Sequence, residues 1–193
     1  MGNTLLQNTL QKFKKNRIFI ETGTYDAGGV IMAVTCGFDL IYTIEIVGWL
    51  YEQSRSRTYR PSNAGITFLL GDSTQILPGL LKTIHEPCTF WLDAHFPSEN
   101  CSHSTSWDNC PVLLELKTIA DHTIKNHVIL IDDIPDFKNG VCDAITIDQL
   151  TDGIKSINPG YVITYEDGGR GPGTVLAATL PLVNHKTILV AAP

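Results

Sequence analysis

Five short runs rich in β-branched and aromatic residues recur along the chain: RIFIET (17–22), LIYTIEI (40–46), GITFLL (65–70), CTFWLDA (88–94) and HVILID (127–132). Each is nearly continuous in apolar residues, as a strand covered on both faces requires, where a half-exposed strand would alternate. The segments between and after them, at about 28–36, 48–59, 73–84, 111–125 and 144–157, have the length of helices. Strand followed by helix five times over predicts a parallel sheet wound by right-handed crossovers. The character then changes. YVITYED (161–167), GGRGPG (168–173) and TVLAATL (174–180) read as two strands on a connection too short for a helix. The seventh strand, placed at TVLAATL, is therefore expected to run antiparallel to its neighbour.

At 193 residues and 43% hydrophobic the chain suits one domain with a sizeable core, residues 1–193. Residues 1–16 form a helical extension, and 97–109 a lid or substrate loop, the usual role of so long a non-periodic connection. A formal charge of −6 disfavours nucleic acid, whose binding depends on clustered Lys and Arg. The polar opening lacks the apolar core of a signal peptide, and no run of apolar residues is long enough to span a membrane. A cytoplasmic protein without a membrane partner is expected. Leu6 stands where a myristoylation motif needs Ser or Thr, and the Asn100-Cys101-Ser102 sequon has no secretion route to serve it. Five cysteines, odd in number and mostly in apolar surroundings, read as reduced thiols.

Ligands of open α/β sheets bind beyond the carboxyl ends of the strands. There this chain carries Glu21-Thr22-Gly23-Thr24-Tyr25-Asp26-Ala27-Gly28-Gly29, then Glu45, Gly71-Asp72-Ser73, Asp93-Ala94-His95 and Asp132-Asp133. Taken singly each is weak: the glycine-rich stretch serves as a plain turn as often as a ligand loop, and Asp72 serves as a helix N-cap. Acidic residues at all five strand ends make a stronger pattern. So many carboxylates on one rim repel unless a cation or a hydroxyl-bearing ligand accepts them.

Across roughly residues 17–140 these motifs resemble those of the class I S-adenosylmethionine-dependent methyltransferases. The resemblance is nearest to the metal-dependent O-methyltransferases of the catechol, caffeoyl-CoA and macrolide-sugar type. It implies a Rossmann-like, doubly wound α/β fold with S-adenosylmethionine and a divalent cation, magnesium by preference. Glu21, Gly23, Tyr25 and Gly28 would lie in the turn beside the methionine moiety, and Glu45 would accept from the ribose hydroxyls. The segment holding Asp72 and Ser73 would face adenine. Asp93 in WLDAH, with Asp132 and Asp133 in LIDD, would bind the metal; Asp93 also counts as a catalytic and cofactor-binding residue. The implied reaction is methyl transfer to a small-molecule hydroxyl, a phenol or a sugar.

The sequence departs from the family at three places. Ala27 stands where the turn often has glycine, with Gly28 and Gly29 just beyond. No lysine lies between Lys82 and Lys117, so the family's lysine base is missing and His95 is the nearest proton acceptor, with a fourth metal ligand and a rim residue as its other readings. The N-terminal extension is short, so a cap over the cofactor would come from the 97–109 loop, from a second copy in a homodimer, or not at all. Cys101, His103 and Cys110 with His95 match no known zinc module, and Phe96, Trp107 and Arg170 are candidates for the acceptor side. Two rivals are weighed: a methyltransferase-like module that binds cofactor or partner without chemistry, and a nicotinamide oxidoreductase, against which the absent G-x-G-x-x-G spacing counts.

Overall fold

The computed structural model describes residues 7–58, 64–94, 110–138, 145–167 and 186–193. Its elements are α1 (Gln7–Phe13), β1 (Ile18–Thr22), α2 (Gly28–Thr35), β2 (Leu40–Glu45), α3 (Gly48–Arg57), β3 (Gly65–Leu70) and α4 (Ser73–Leu81). They continue with β4 (Cys88–Leu92), α5 (Val112–Asp121), β5 (Val128–Ile131), α6 (Ile134–Lys138), α7 (Ile147–Ile157), β6 (Val162–Asp167) and β7 (Lys186–Ala192). One seven-stranded sheet has the order β3-β2-β1-β4-β5-β7-β6. Strands β1 to β5 pair in parallel, and β7 runs antiparallel to both β5 and β6.

The continuous apolar runs behave as expected at the centre. Every residue of β1, β4 and β5 is buried. Because successive strand residues face opposite ways, each strand feeds two cores. Ile18, Ile20, Phe90, Leu92, Ile129 and Ile131 pack with Leu77 of α4, Leu116 of α5 and Ile154 of α7. Phe19, Trp91, Leu130 and Val190 pack with Leu10 of α1 and with Val30 and Ala33 of α2 on the other face. Burying each such large side chain contributes roughly 1.5 to 3 kcal/mol. Two helix starts follow from local chemistry. Asp72 caps α4 by accepting from the Thr74 N–H, and Thr146 with Gln149 forms a reciprocal capping box on α7.

Three expectations need correction. The GITFLL run is not covered on both faces: β3 is an edge strand paired only to β2, and Gly65, Thr67 and Leu70 are exposed. Its apolar character serves one face only. The seventh strand of the described sheet is KTILVAA; TVLAATL, where that strand was expected, lies outside the described residues. β7 inserts between β5 and β6, which puts its apolar centre in the sheet interior. The short helix α6 directly after β5 was not anticipated; five residues carry too little periodicity to read.

At the opposite end of the sheet from the strand carboxyl ends lies a buried histidine pair. The Cys88 N–H donates to Nδ1 of His127 at 3.0 Å. That leaves Nε2 of His127 to donate to Nδ1 of His122 at 3.1 Å, and Nε2 of His122 to donate to the Ile84 carbonyl at 3.1 Å. This chain of bonds has room for one proton per ring. Burial first, and the neighbouring His122 second, push His127 down to about 4. A histidine with its pKa lowered in the fold stabilises above its unfolded value near 6.5, and that stability is lost as pH falls from there toward 4. At pH 5 the loss attributable to His127 is expected to be roughly 2 kcal/mol. It is measured as the pH dependence of thermal unfolding that His127→Gln removes; an equal slope in the variant would refute it.

Candidate active site

Strand order reverses between β1 and β4, from which the chain winds outward in both directions, and this switch point is where an open sheet leaves a crevice. Beyond the strand ends the parallel ladder continues by one bond on each side of β4: Asp93 N–H donates to the Thr22 carbonyl at 3.1 Å and Asp132 N–H to the Leu92 carbonyl at 3.2 Å. Those bonds carry the acidic residues of β4 and β5 onto one rim. Consecutive residues of a strand would point apart, but Asp133 has φ 52°, a left-handed turn of the backbone. Carboxylate oxygens of Asp93, Asp132 and Asp133 consequently lie within 4.8 Å of one another, with Asp132 and Asp133 buried. Three hard anionic oxygens so placed fit a divalent cation with coordination positions left over for other oxygens.

The loop after β1 is held as tightly. Gly23 and Thr24 donate their N–H groups to the Ile44 carbonyl at 2.9 and 3.3 Å. Gly23 has φ 84°, and a Cβ there would overlap the Asp93 carbonyl oxygen and stand 2.8 Å from its carbon. Only glycine lets these two loops touch. Tyr25 and Ala27 also have positive φ, 47° and 66°. Among the described residues the three non-glycine residues in this region, Tyr25, Ala27 and Asp133, all sit at this rim. Each costs of order 1 kcal/mol or more, and such strain concentrates at functional sites. Ala27 adopts the backbone conformation glycine favours. Its methyl group is fully buried beneath α2, which offsets the strain.

Glu45 is buried at the end of β2, with Oε2 accepting from Tyr25 N–H at 2.8 Å and Oε1 from Val47 N–H at 2.9 Å. Burial raises its pKa, while the N–H groups of Val47, Tyr25 and Ile46 pull it down. The carboxylate retains acceptor capacity for a further donor. Gly28 starts α2 and donates its N–H to Asp26 Oδ1 at 3.0 Å. Asp72 acts as the N-cap of α4, the plainer of its two readings, its Oδ1 also accepting from the Thr74 hydroxyl at 2.8 Å. Ser73 beside it is buried, and its hydroxyl has no hydrogen-bond partner among the described residues. His95 lies outside the described residues, as do Phe96, Cys101, His103, Trp107 and Arg170. Sequence reasoning missed Thr43, whose hydroxyl donates to Glu21 Oε2 at 2.6 Å, and Thr24, whose hydroxyl bonds that of Thr43. The one available signal was Thr43, the only hydroxyl-bearing residue besides Tyr42 in the apolar run LIYTIEI.

No family model and no curated protein matches the chain. Solved structures do. The O-methyltransferase TomG from Streptomyces achromogenes, involved in tomaymycin synthesis and solved with S-adenosylmethionine, superposes with a TM-score of 0.61 at 14% identity, over 96% of this chain and 76% of that one. This is the class I methyltransferase fold. An O-methyltransferase from Bacillus cereus in complex with S-adenosylhomocysteine gives 0.60 at 16% identity, covering 97% and 78% of the two chains. The Podospora anserina methyltransferase PaMTH1, bound to S-adenosylhomocysteine, gives 0.57 at 14%, covering 96% and 75%. The methyltransferase fold explains the sheet order and the antiparallel β7 together. Among the described residues no helix is long and apolar enough to cross a membrane.

Proposed function

We propose that the chain transfers a methyl group from S-adenosylmethionine to a hydroxyl of a small molecule, a phenol or a sugar, with help from a divalent cation. The observation that carries this reading is the meeting of Asp93, Asp132 and Asp133 beside the Gly23 loop and Glu45, at the switch point of a methyltransferase fold. S-adenosylmethionine supplies an electrophilic sulfonium methyl, and a magnesium-like cation supplies Lewis acidity that makes a hydroxyl easier to ionise. The protein's own part is placement. Glu45 accepts from vicinal ribose hydroxyls, the backbone at Gly23 closes on the methionine end, and the three aspartates hold the cation. Fixing acceptor and methyl donor in one crevice lowers the entropic share of the barrier. His95 is the candidate proton acceptor.

Calorimetric titration with S-adenosylmethionine, with and without magnesium, followed by turnover of a phenol and sugar panel tests the proposal. Binding in both conditions and turnover only with metal is the expected result. Binding without turnover of any acceptor would indicate a module that holds the cofactor without chemistry. Glu45→Ala is expected to weaken cofactor binding by roughly 1 to 3 kcal/mol, the usual loss for a charged acceptor. An unchanged dissociation constant would remove Glu45 from the ribose assignment.

A further inference from the structure

We infer that the open edge of β3 pairs antiparallel with β3 of a second copy of the chain, about a two-fold axis at Phe68, so that two sheets join into one. This assembly is independent of the cofactor reading. Among the described residues β3 has a neighbour on one side only, β2. On that side Gly65 and Gly71 donate their N–H groups to the Asp39 and Glu45 carbonyls, at 2.8 Å each. A parallel ladder bonds alternate residues of a strand, so Gly65, Thr67 and Leu69 face β2, while Ile66, Phe68 and Leu70 direct their N–H and C=O groups outward. Folded proteins blunt such an edge with a charge, a proline or a bulge. GITFLL carries no charge and no proline, and its register with β2 is unbroken. The opposite edge of the sheet, β6, does carry these devices: it ends in Glu166 and Asp167 with a shift of register between them, and Glu166 is ion-paired to Lys12.

Symmetry and charge select a second copy as the occupant. Only residues with outward groups can exchange bonds, and a two-fold axis at Phe68 sets Phe68 opposite itself and Ile66 opposite Leu70 of the other copy. Opposite residues share a face of the sheet, so half-buried Ile66 and Phe68 and exposed Leu70 cover their counterparts in one apolar row. On that face α3 lies over β2 and β3, with Tyr51 edge-on to Phe68. With strands about 4.8 Å apart, a helix centred over β2 and β3 lies about 10 Å from its copy and antiparallel to it, a distance at which helices pack. The same rotation sets the amino-terminal edge of one copy, where exposed Arg55 and Arg57 close α3, toward the carboxyl rim of the other, where Glu52 and Asp72 stand. Opposite charges therefore meet at both ends of the seam.

Sedimentation velocity at protein concentrations from about 1 to 300 μM should show a reversible monomer–dimer equilibrium with a micromolar dissociation constant, as suits a small interface. Thr67→Lys and Leu70→Lys, both at exposed positions, place charge on the seam and should each weaken association roughly tenfold or more, with an unchanged circular dichroism spectrum. Cysteine variants read the register. Across the axis the two Phe68 Cα atoms would lie about 5.5 Å apart, within disulfide reach, so oxidised Phe68→Cys should give a covalent dimer beyond any formed by the parent. Leu70→Cys, set four residues along the seam from its own counterpart, should not. A chain that stays monomeric throughout the range overturns the inference. So does a dimer that both lysine variants leave intact, or one that both cysteine variants cross-link equally. Should Phe68→Cys fail to fold, the lysine variants decide alone.

Discussion

Asp93→Asn is expected to lower metal-stimulated methyl transfer by about 100-fold or more while changing S-adenosylmethionine affinity only a few-fold. The substitution preserves shape and removes one hard anionic oxygen from the set of three that lies within 4.8 Å. The cofactor contacts argued for Glu45 and the Gly23 loop run through other atoms, so the nucleoside end should be indifferent. Thermal unfolding supplies an independent readout. Without metal, relief of repulsion among the carboxylates should leave the variant as stable as the parent or more so, by up to about 1 kcal/mol. With magnesium at about a hundred times its dissociation constant the parent should gain roughly 2.7 kcal/mol, and the variant should lose most of that gain. Retention of both the magnesium stabilisation and the stimulated turnover would remove the cation from this cluster.

Gly23→Ala is expected to cost roughly 2 to 4 kcal/mol, a fall in melting temperature of about 5 to 15 °C for a chain of this length. Two penalties add. A φ of 84° strains any residue with a Cβ, and the new atom meets the Asp93 backbone, which cannot swing aside as a side chain end would. Relief requires the β1 and β4 loops to part, which shifts Asp93 relative to Asp132 and Asp133 on β5. The variant should therefore lose magnesium stabilisation out of proportion to its lost stability. A fully stable Gly23→Ala protein would mean the two loops are not held in contact.

Most of the fold was legible because its signals are local. Continuous apolar runs such as CTFWL mark strands buried on both faces, and Asp72-Ser73-Thr74 announces a helix start whichever fold contains it. Acidic residues at the strand ends were equally plain in order along the chain. The edge position of β3 was not legible, since GITFLL has the composition of an interior strand and only its lack of a second partner exposes it. Nor was the place of β7, because several apolar stretches follow residue 173 and local pattern does not choose among them. The histidine pair escaped because Ile84 and Cys88 come from one segment and His122 and His127 from another, and only packing unites them.

By itself the sequence determined that strands and helices alternate, that most strands are parallel, and that carboxylates gather where those strands end. Periodicity and short-range capping decide such things within a few residues. Only the tertiary structure decided that Asp93 meets Asp132 and Asp133, through a left-handed turn at Asp133, and that Glu21 is shut between Thr43 and Trp91. Those meetings depend on strand order and register, which arise from burying two sheet faces at once and leave no mark on any single segment.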